Sequence, residues 1–402
     1  MQAVGIVVEY NPFHNGHLHH VTEAKRTTNS DVAVAVMSGQ FLQRGEPALV
    51  DKWHRTKMAL QSGVDIVIEL PYIFSTAQAT LFASGSIQLL EAMHCKHLAF
   101  GSEQGTITPF INTYEVIESN RDLYNSIIKE HVQQGKSYPQ ALFIAYEQLT
   151  QHYPNAYIDL AQPNNILGYH YVEAIKQLHC IMQPATIQRI AAGYYDAIDT
   201  SSQIASATGI RQALFGGQDL NEVAQFLPHA SIEQLQIWQQ THGQFASWES
   251  FWPLLKYAII RHTPQQLKQY ADVAEGLENS LIKHAATSDS YAEFMNSLKS
   301  KRYTWTRLQR MLTHIFTGVT KEQLHQTKTP SYIRILGMTK QGQGYISSIK
   351  KSLTLPLISR VASVSDPVLA IDLHATQMYQ QGVAQFSNIK IDEDYKSPPI
   401  RF

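Results

Sequence analysis

The sequence predicts an α/β protein, with a parallel sheet in its first half and a mostly helical C-terminal domain. Three observations carry that reading. Short apolar runs alternate with helix-like stretches through the first hundred residues. The length of 402 residues exceeds what one hydrophobic core usually serves. Charge is unevenly divided along the chain.

The alternation comes first. Ala3 to Val8, Val32 to Met37, Val64 to Leu70 and His97 to Phe100 are apolar, β-rich runs. Runs of this kind are buried on both faces, as in a parallel sheet covered by helices. Asn15 to Arg26, Val50 to Gln61 and Gln78 to Met93 read as the helices between them. From about Ile107 to Leu160 the pattern is polar and helical, an expected insertion. Thr186 to Ala191 should return to the sheet, followed by a helix from Ser202 to Leu214. Residues 1–215 are thus expected to form the catalytic domain and 216–402 a mostly helical second domain. Within the latter, Gln218 to Ser297 is helical without evident chemistry, and the tail from Asp392 to Phe402 reads as loosely ordered.

Composition excludes several classes. At 44% hydrophobic and 16% charged, this is an ordinary globular chain. Cys95 and Cys180 stand too far apart for a zinc spacing or a disulfide framework, which suits a reducing cytoplasm. No stretch approaches the ~20 apolar residues of a membrane helix, and the opening run is too short for a signal peptide. A soluble cytoplasmic protein is expected, and its oligomeric state is left open.

Charge is the third observation. Lys299 to Arg360 holds twelve basic residues and one acid, Glu322. That segment is +11, leaving −12 for the rest of a chain whose net charge is −1. Such segregation points to a polyanion. Helical spacing puts Tyr303, Arg307, Arg310 and His314 on one face, expected to turn outward. Trp305, Leu308, Leu312, Ile315 and Phe316 fall opposite and should pack. With Lys301 and Arg302, the outward face is a candidate RNA-binding surface, because basic and aromatic groups suit RNA phosphates and unstacked bases.

Chemistry concentrates in Glu9-Tyr10-Asn11-Pro12-Phe13-His14-Asn15-Gly16-His17, between the first strand and the first helix. A helix N-terminus offers unpaired N–H groups and the positive end of a dipole. Gly16 lets backbone come close to a phosphate. His14 and His17, three residues apart, can both face that anion as donors or cations. Ser38-Gly39-Gln40 ends the second strand beside the same crevice, with Ser38 and Gln40 candidate substrate contacts. Lys52 and Arg55 open the second helix and either reach a phosphate or lie on a solvated face. Arg189 sits in the late strand pattern, where a buried charge needs a partner. One of Asn164 and Asn165 is free to act as a helix cap while the other contacts a ligand.

His14-Asn15-Gly16-His17 after a first strand resembles the H-x-G-H signature of nucleotidyltransferases. Gly5 to His17, Met37 to Phe41, Gly45 to Ala48, Phe100 to Glu103 and Gln162 to Gly168 narrow the resemblance to the tRNA(Met) cytidine acetate ligase family. It is dense over about the first 215 residues and weaker beyond. The resemblance implies a Rossmann-like nucleotidyltransferase fold. It implies an ATP site built from Val7, Val8, Glu9, Tyr10, Asn11, Pro12, Phe13, His14, Asn15, Gly16, His17, Leu18, His19 and His20. Gly101, Asn164, Arg189, Ser206 and Thr208 join it. The last two lie in Ile204 to Arg211, similar to the Ser/Thr-rich helix start of that superfamily but looser, with Ala205 and Ala207 interrupting. His14 and His17 are the implied catalytic pair. The implied reaction activates acetate with ATP as acetyl-adenylate, then acylates the wobble cytidine N4 of elongator tRNA(Met). Mg²⁺ is expected to escort the triphosphate, and no protein-held metal site is expected. A small-molecule adenylyltransferase is disfavoured by the long basic segment. A non-catalytic RNA-binding protein is disfavoured by the intact histidine motif.

Overall fold

The structure, a computed structural model, describes residues 1–136, 138–151, 156–189, 204–274, 276–388 and 393–402. The expected strand end at 190–191 and helix start at 202–203 lie outside the described residues. Strands β1 (Ala3–Val8), β2 (Val32–Ser38), β3 (Ile66–Leu70), β4 (His97–Ser102) and β5 (Gln183–Gln188) follow the alternation read from sequence. They pair in parallel in the order β5-β4-β1-β2-β3. β1 lies where the strand sequence reverses direction, so a crevice opens above the C-terminal ends of β1 and β4.

The C-terminal half is not wholly helical. β6 (Ile333–Met338) runs antiparallel to β3, and β7 (Leu357–Ile358) and β8 (Ile400–Arg401) pair with β6. The sheet is therefore mixed and is built from both ends of the chain. Helices Thr108–Ser119, Arg121–Gln133 and Tyr138–Thr150 lie between β4 and β5. Among the described residues, no helix is long and apolar enough to cross a membrane.

One buried ionic cluster joins the two halves. Lys52 Nζ lies 2.8 Å from Glu69 Oε1 and 2.9 Å from Asp394 Oδ1. Arg334 NH1 and NH2 reach Glu69 Oε2 at 2.8 Å and Asp394 Oδ1 at 2.9 Å. Lys52, Glu69, Arg334 and Asp394 are all buried. Two cations and two carboxylates neutralise each other, as buried charges must.

Three expectations change as a result. Lys52 does not reach a phosphate. The tail is ordered at least over the helix Glu393–Lys396 and β8, anchored through Asp394. Arg334 is an internal cation, so the basic segment is not one continuous surface.

Removing one member leaves the others without compensation. Asp394→Ala is expected to lower unfolding stability by about 3–5 kcal/mol. Urea titration checks this, and a loss under about 1 kcal/mol would show that the cluster does not hold the tail.

Candidate active site

Where β1 ends, the chain turns through Tyr10, at φ 51°, and a cis Asn11–Pro12 bond. The buried Tyr10 ring packs 4.5 Å from Phe13 and 5.0 Å from His17, centroid to centroid. Asn11 Oδ1 accepts from Leu49 N at 2.7 Å, tying the turn to the loop after β2. The helix Asn15–Thr27 then begins, capped by His14.

The two histidines cap that helix reciprocally. Gly16 N donates to His14 Nδ1 at 3.0 Å, and His14 N donates to His17 Nδ1 at 3.2 Å. Their rings lie 3.8 Å apart, tilted by 35°. A neutral ring that accepts at Nδ1 carries its proton on Nε2. Each histidine thus keeps one donor for a ligand. Burial drives the His14 pKa down to about 3, helped by Arg189 and Arg211. Burial also pulls His17 well below its ordinary value, and His20 down to about 4. Of the two states the sequence allowed, the structure selects neutral donors. A Cβ on Gly16 would lie 2.8 Å from His14 Cε1, so only glycine leaves room for the capping ring.

Above this helix start lies a cleft of about 560 Å³. Val7, Val8, Glu9, Tyr10, Asn11, His14, Gly16, His17, His19 and His20 line it. So do Gly101, Asn164, Arg189, Ser206, Thr208 and Arg211, from four separate stretches. Ser206 caps the helix Ala207–Phe215, accepting from Gly209 N at 3.0 Å, so a second helix start opens on the cleft. Arg211 donates to Asn11 O at 2.8 Å and pairs with Glu46 at 3.2 Å.

Other expected residues fall elsewhere. Pro12, Phe13, Asn15 and Leu18 do not line the cleft: Phe13 is core, Asn15 donates to Gln225 O and Leu18 is exposed. Ser38 and Gln40 are buried off the cleft wall, and Gln40 Oε1 accepts from Lys52 N at 3.1 Å. Arg55 is fully buried against backbone carbonyls rather than near a phosphate. Gln162 occupies the cap position of the helix Pro163–Gln177, so neither Asn164 nor Asn165 is its cap. Asn164 lines the cleft and donates to Glu103 at 2.5 Å, whereas buried Asn165 donates to Asp159 O at 3.0 Å. Arg189 is not inside a strand. β5 stops at Gln188, and Arg189 is exposed on the cleft.

The basic helix Trp305–Thr317 also turns differently from expectation. Tyr303 and His314 are buried, and Trp305 is 39% exposed. Tyr72 OH and His314 Nδ1 are 3.0 Å apart. Lys301 and Arg302 are exposed. Arg307 is half-buried, 3.4 Å from Asp272 and 4.9 Å over the Tyr303 ring. Arg310 lines the cleft. Amphipathic spacing names two faces, but here the supposedly outer face is covered by other parts of the chain.

Sequence reasoning assigned no role to Gln43, Arg44 and Glu46, which also line the cleft. Their signal was Gly45-Glu46-Pro47, a turn whose glycine takes φ +78°. Half-buried Glu9 accepts from Gln43 N at 2.8 Å, and its withdrawal from water raises its pKa.

Paired neutral imidazoles and a helix start at the switch point of a parallel sheet define a nucleotidyltransferase cleft. A family model described as HIGH Nucleotidyl Transferase matches residues 1–394. A tRNA(Met) cytidine acetate ligase of Lysinibacillus sphaericus is 57% identical over 405 residues, covering all of both chains. One from Bacillus subtilis is 47% identical, covering 100% of this chain and 98% of the relative. The apo crystal structure of Thermotoga maritima TmcAL superposes with a TM-score of 0.92 at 30% identity, covering both chains fully. The complex of that protein with alpha-thio ATP gives 0.89 at 30% identity, covering 100% and 99%. The chain belongs to the HIGH nucleotidyl transferases and, among them, to the tRNA(Met) cytidine acetate ligase family.

Histidines partly or wholly withdrawn from water make stability depend on acid. His14, His20 and His314 stay neutral in the fold down to about 3, 4 and 3, against an ordinary 6.5. The unfolded chain takes up their protons first, so their contribution is complete above pH 6.5 and is lost as pH falls towards the folded values. Asp372, raised to about 7 by burial and Glu69, and Glu9, raised by burial, act in the opposite sense over part of that window. The histidines outnumber them. Melting temperature is therefore expected to fall from pH 6.5 to pH 4, and a flat or rising profile in that direction would contradict the neutral assignment.

Proposed function

We propose that this protein joins acetate to the N4 amine of the wobble cytidine of elongator tRNA(Met), using ATP. The observation that carries the reading is the reciprocally capped His14–His17 pair opening into a cleft ringed by arginines. The names of the curated relatives and the ATP-analogue complex of the similar structure support the substrates.

The reaction has two steps. An acetate oxygen attacks the α-phosphorus of ATP, the bond to the β-phosphate bridge breaks, and pyrophosphate leaves with the electron pair. His14 and His17 donate through Nε2 to oxygens on which charge builds, in place of water. The N4 amine then attacks the acetyl carbon, AMP departs with the carbon–oxygen electrons, and the amine loses a proton. Among the described residues, no three His, Cys, Asp or Glu side chains are grouped to hold a metal. Mg²⁺ enters the proposal as an ion carried mainly by phosphate oxygens and water, its usual coordination with nucleotides. It would neutralise phosphate charge. Residues 1–215 carry most of the adenylation site in this reading, the basic C-terminal part carries tRNA, and the cytoplasm is the compartment.

Pyrophosphate release from ATP, with acetate and tRNA added in turn, tests the chemistry. His17→Ala, folded, is expected to lose about 10²–10³ in rate, roughly 2.7–4 kcal/mol. Labelled acetate should enter tRNA only with ATP. Near-normal turnover by His17→Ala, or label arriving only from acetyl-CoA, would refute the reading.

The exposed pair Lys301 and Arg302 tests the RNA surface. Changing both to Ala is expected to weaken tRNA binding and flatten log K against log salt by about 1–2 units, because each phosphate contact contributes roughly 0.7–0.9. Affinity measured across a salt series decides this, and an unchanged slope places the RNA elsewhere.

A further inference from the structure

The basic helix Trp305–Thr317 supplies a wall of the cleft. Its Arg310 lines the same space as His14, His17 and Arg211. Backbone packing fixes its place. Gly45 sits at φ +78°, and a Cβ there would fall 2.3 Å from Arg310 N. Trp248 Nε1 and Thr313 Oγ1 both donate to Gly45 O, at 2.7 and 3.0 Å. The turn carrying Arg44 and Glu46 is therefore clamped against the helix carrying Arg310.

Arg310 is half-buried, yet among the described residues its guanidinium makes no hydrogen bond and no ion pair. The two nearby acids are engaged. Asp272 faces Arg307 at 3.4 Å, and Glu46 holds Arg211 at 3.2 Å. A half-buried guanidinium that faces an open cleft with no protein acceptor is placed to take an anion, and its planar fork matches phosphate oxygens. His14 and His17 are neutral donors. The protein's own positive charge against a triphosphate therefore comes from arginines.

We propose that Arg310 binds the triphosphate of ATP in the adenylation step and is not part of the RNA surface. The proposal rests on the ATP reading above. Arg310 would act as a phosphate-binding residue that stays protonated and holds outer phosphate oxygens as pyrophosphate gathers charge.

The test uses full-length wild type, Arg310→Gln and Arg310→Met. Calorimetric titration with α,β-methylene ATP measures nucleotide affinity, and filter binding across a salt series measures tRNA affinity. KM for ATP and for acetate comes from pyrophosphate release. Both variants should bind the analogue at least tenfold more weakly and raise the KM for ATP. Their tRNA affinity and salt slope should match wild type. Circular dichroism identifies the folded variant, and either one suffices. Unchanged analogue affinity in a folded variant overturns the proposal. A loss confined to tRNA affinity with a flatter slope also overturns it and makes Arg310 an RNA contact. A rise confined to the KM for acetate overturns it in favour of the carboxylate. A wild type that binds no analogue sinks this inference together with the functional reading, whereas equal binding by wild type and variant sinks only the inference.

Discussion

The guanidinium of Arg55 is the interaction on which the site depends. It is fully buried and donates to Glu9 O at 2.7 Å, Ser38 O at 3.0 Å and Val50 O at 3.2 Å, and also to Gly39 O. Glu9 O, Ser38 O and Gly39 O lie where β1 and β2 end, and Val50 O lies in the loop before the helix Lys52–Gln61. A buried carbonyl left without a donor costs roughly 1–3 kcal/mol. Only arginine offers five donors in one rigid fork. By tying both strand ends to the loop before the helix Lys52–Gln61, it sets the direction in which Tyr10 to His14 leave the sheet. The helix start then falls where the His14–His17 pair can close on itself.

Lys52 lies one turn from Arg55 on the same helix and meets the other constraint. Its ammonium joins Glu69, on β3, to Asp394, in the C-terminal tail. One buried helix thus holds the strand ends beneath the cleft with one cation and the returning chain with another. The cleft itself divides the work differently. Histidines stripped of charge by burial give directional donors, while arginines give charge. A neutral imidazole does not repel the neighbouring arginines, so both kinds of group can converge on one phosphate chain.

The strands and the helix start that carries His14 and His17 were legible because they are local. Period and composition reveal β1 to β4, and Gly16 between two histidines reveals the helix start, but not the reciprocal cap that the two rings form there. What escaped reading is set by distant contacts. Nothing near Lys52 in sequence announces Asp394, and a paired internal lysine has the same local pattern as a solvated one. Arg334 looked like part of a basic surface for the same reason. The face of the helix Trp305–Thr317 was misread because amphipathic spacing counts faces, not coverings. Tyr303 and His314 are covered, and His314 meets Tyr72 from the distant segment after β3. Ser38 and Gln40 ended the right strand, but strand-end position alone does not say which residues reach the cleft and which remain beneath it.

The C-terminal chain therefore completes the first site as well as extending the molecule. Phe41 packs 6.0 Å from Phe316 and 6.3 Å from Trp248, so the turn after β2 rests on C-terminal aromatic rings. The same turn brings Glu46 to Arg211, and Arg211 reaches back to the Asn11 carbonyl. Cleft geometry is thus coupled to the helix that begins just after Lys301 and Arg302. In the two-step acylation proposed above this coupling would matter, because an acyl-adenylate left open to water hydrolyses. With tRNA held at Lys301 and Arg302, as proposed, a cleft walled by the helix that follows them would set the second substrate next to the intermediate as it forms. Two separate domains joined by a linker would have to find that alignment again in every turnover, whereas a shared sheet and a clamped turn supply it in the fold.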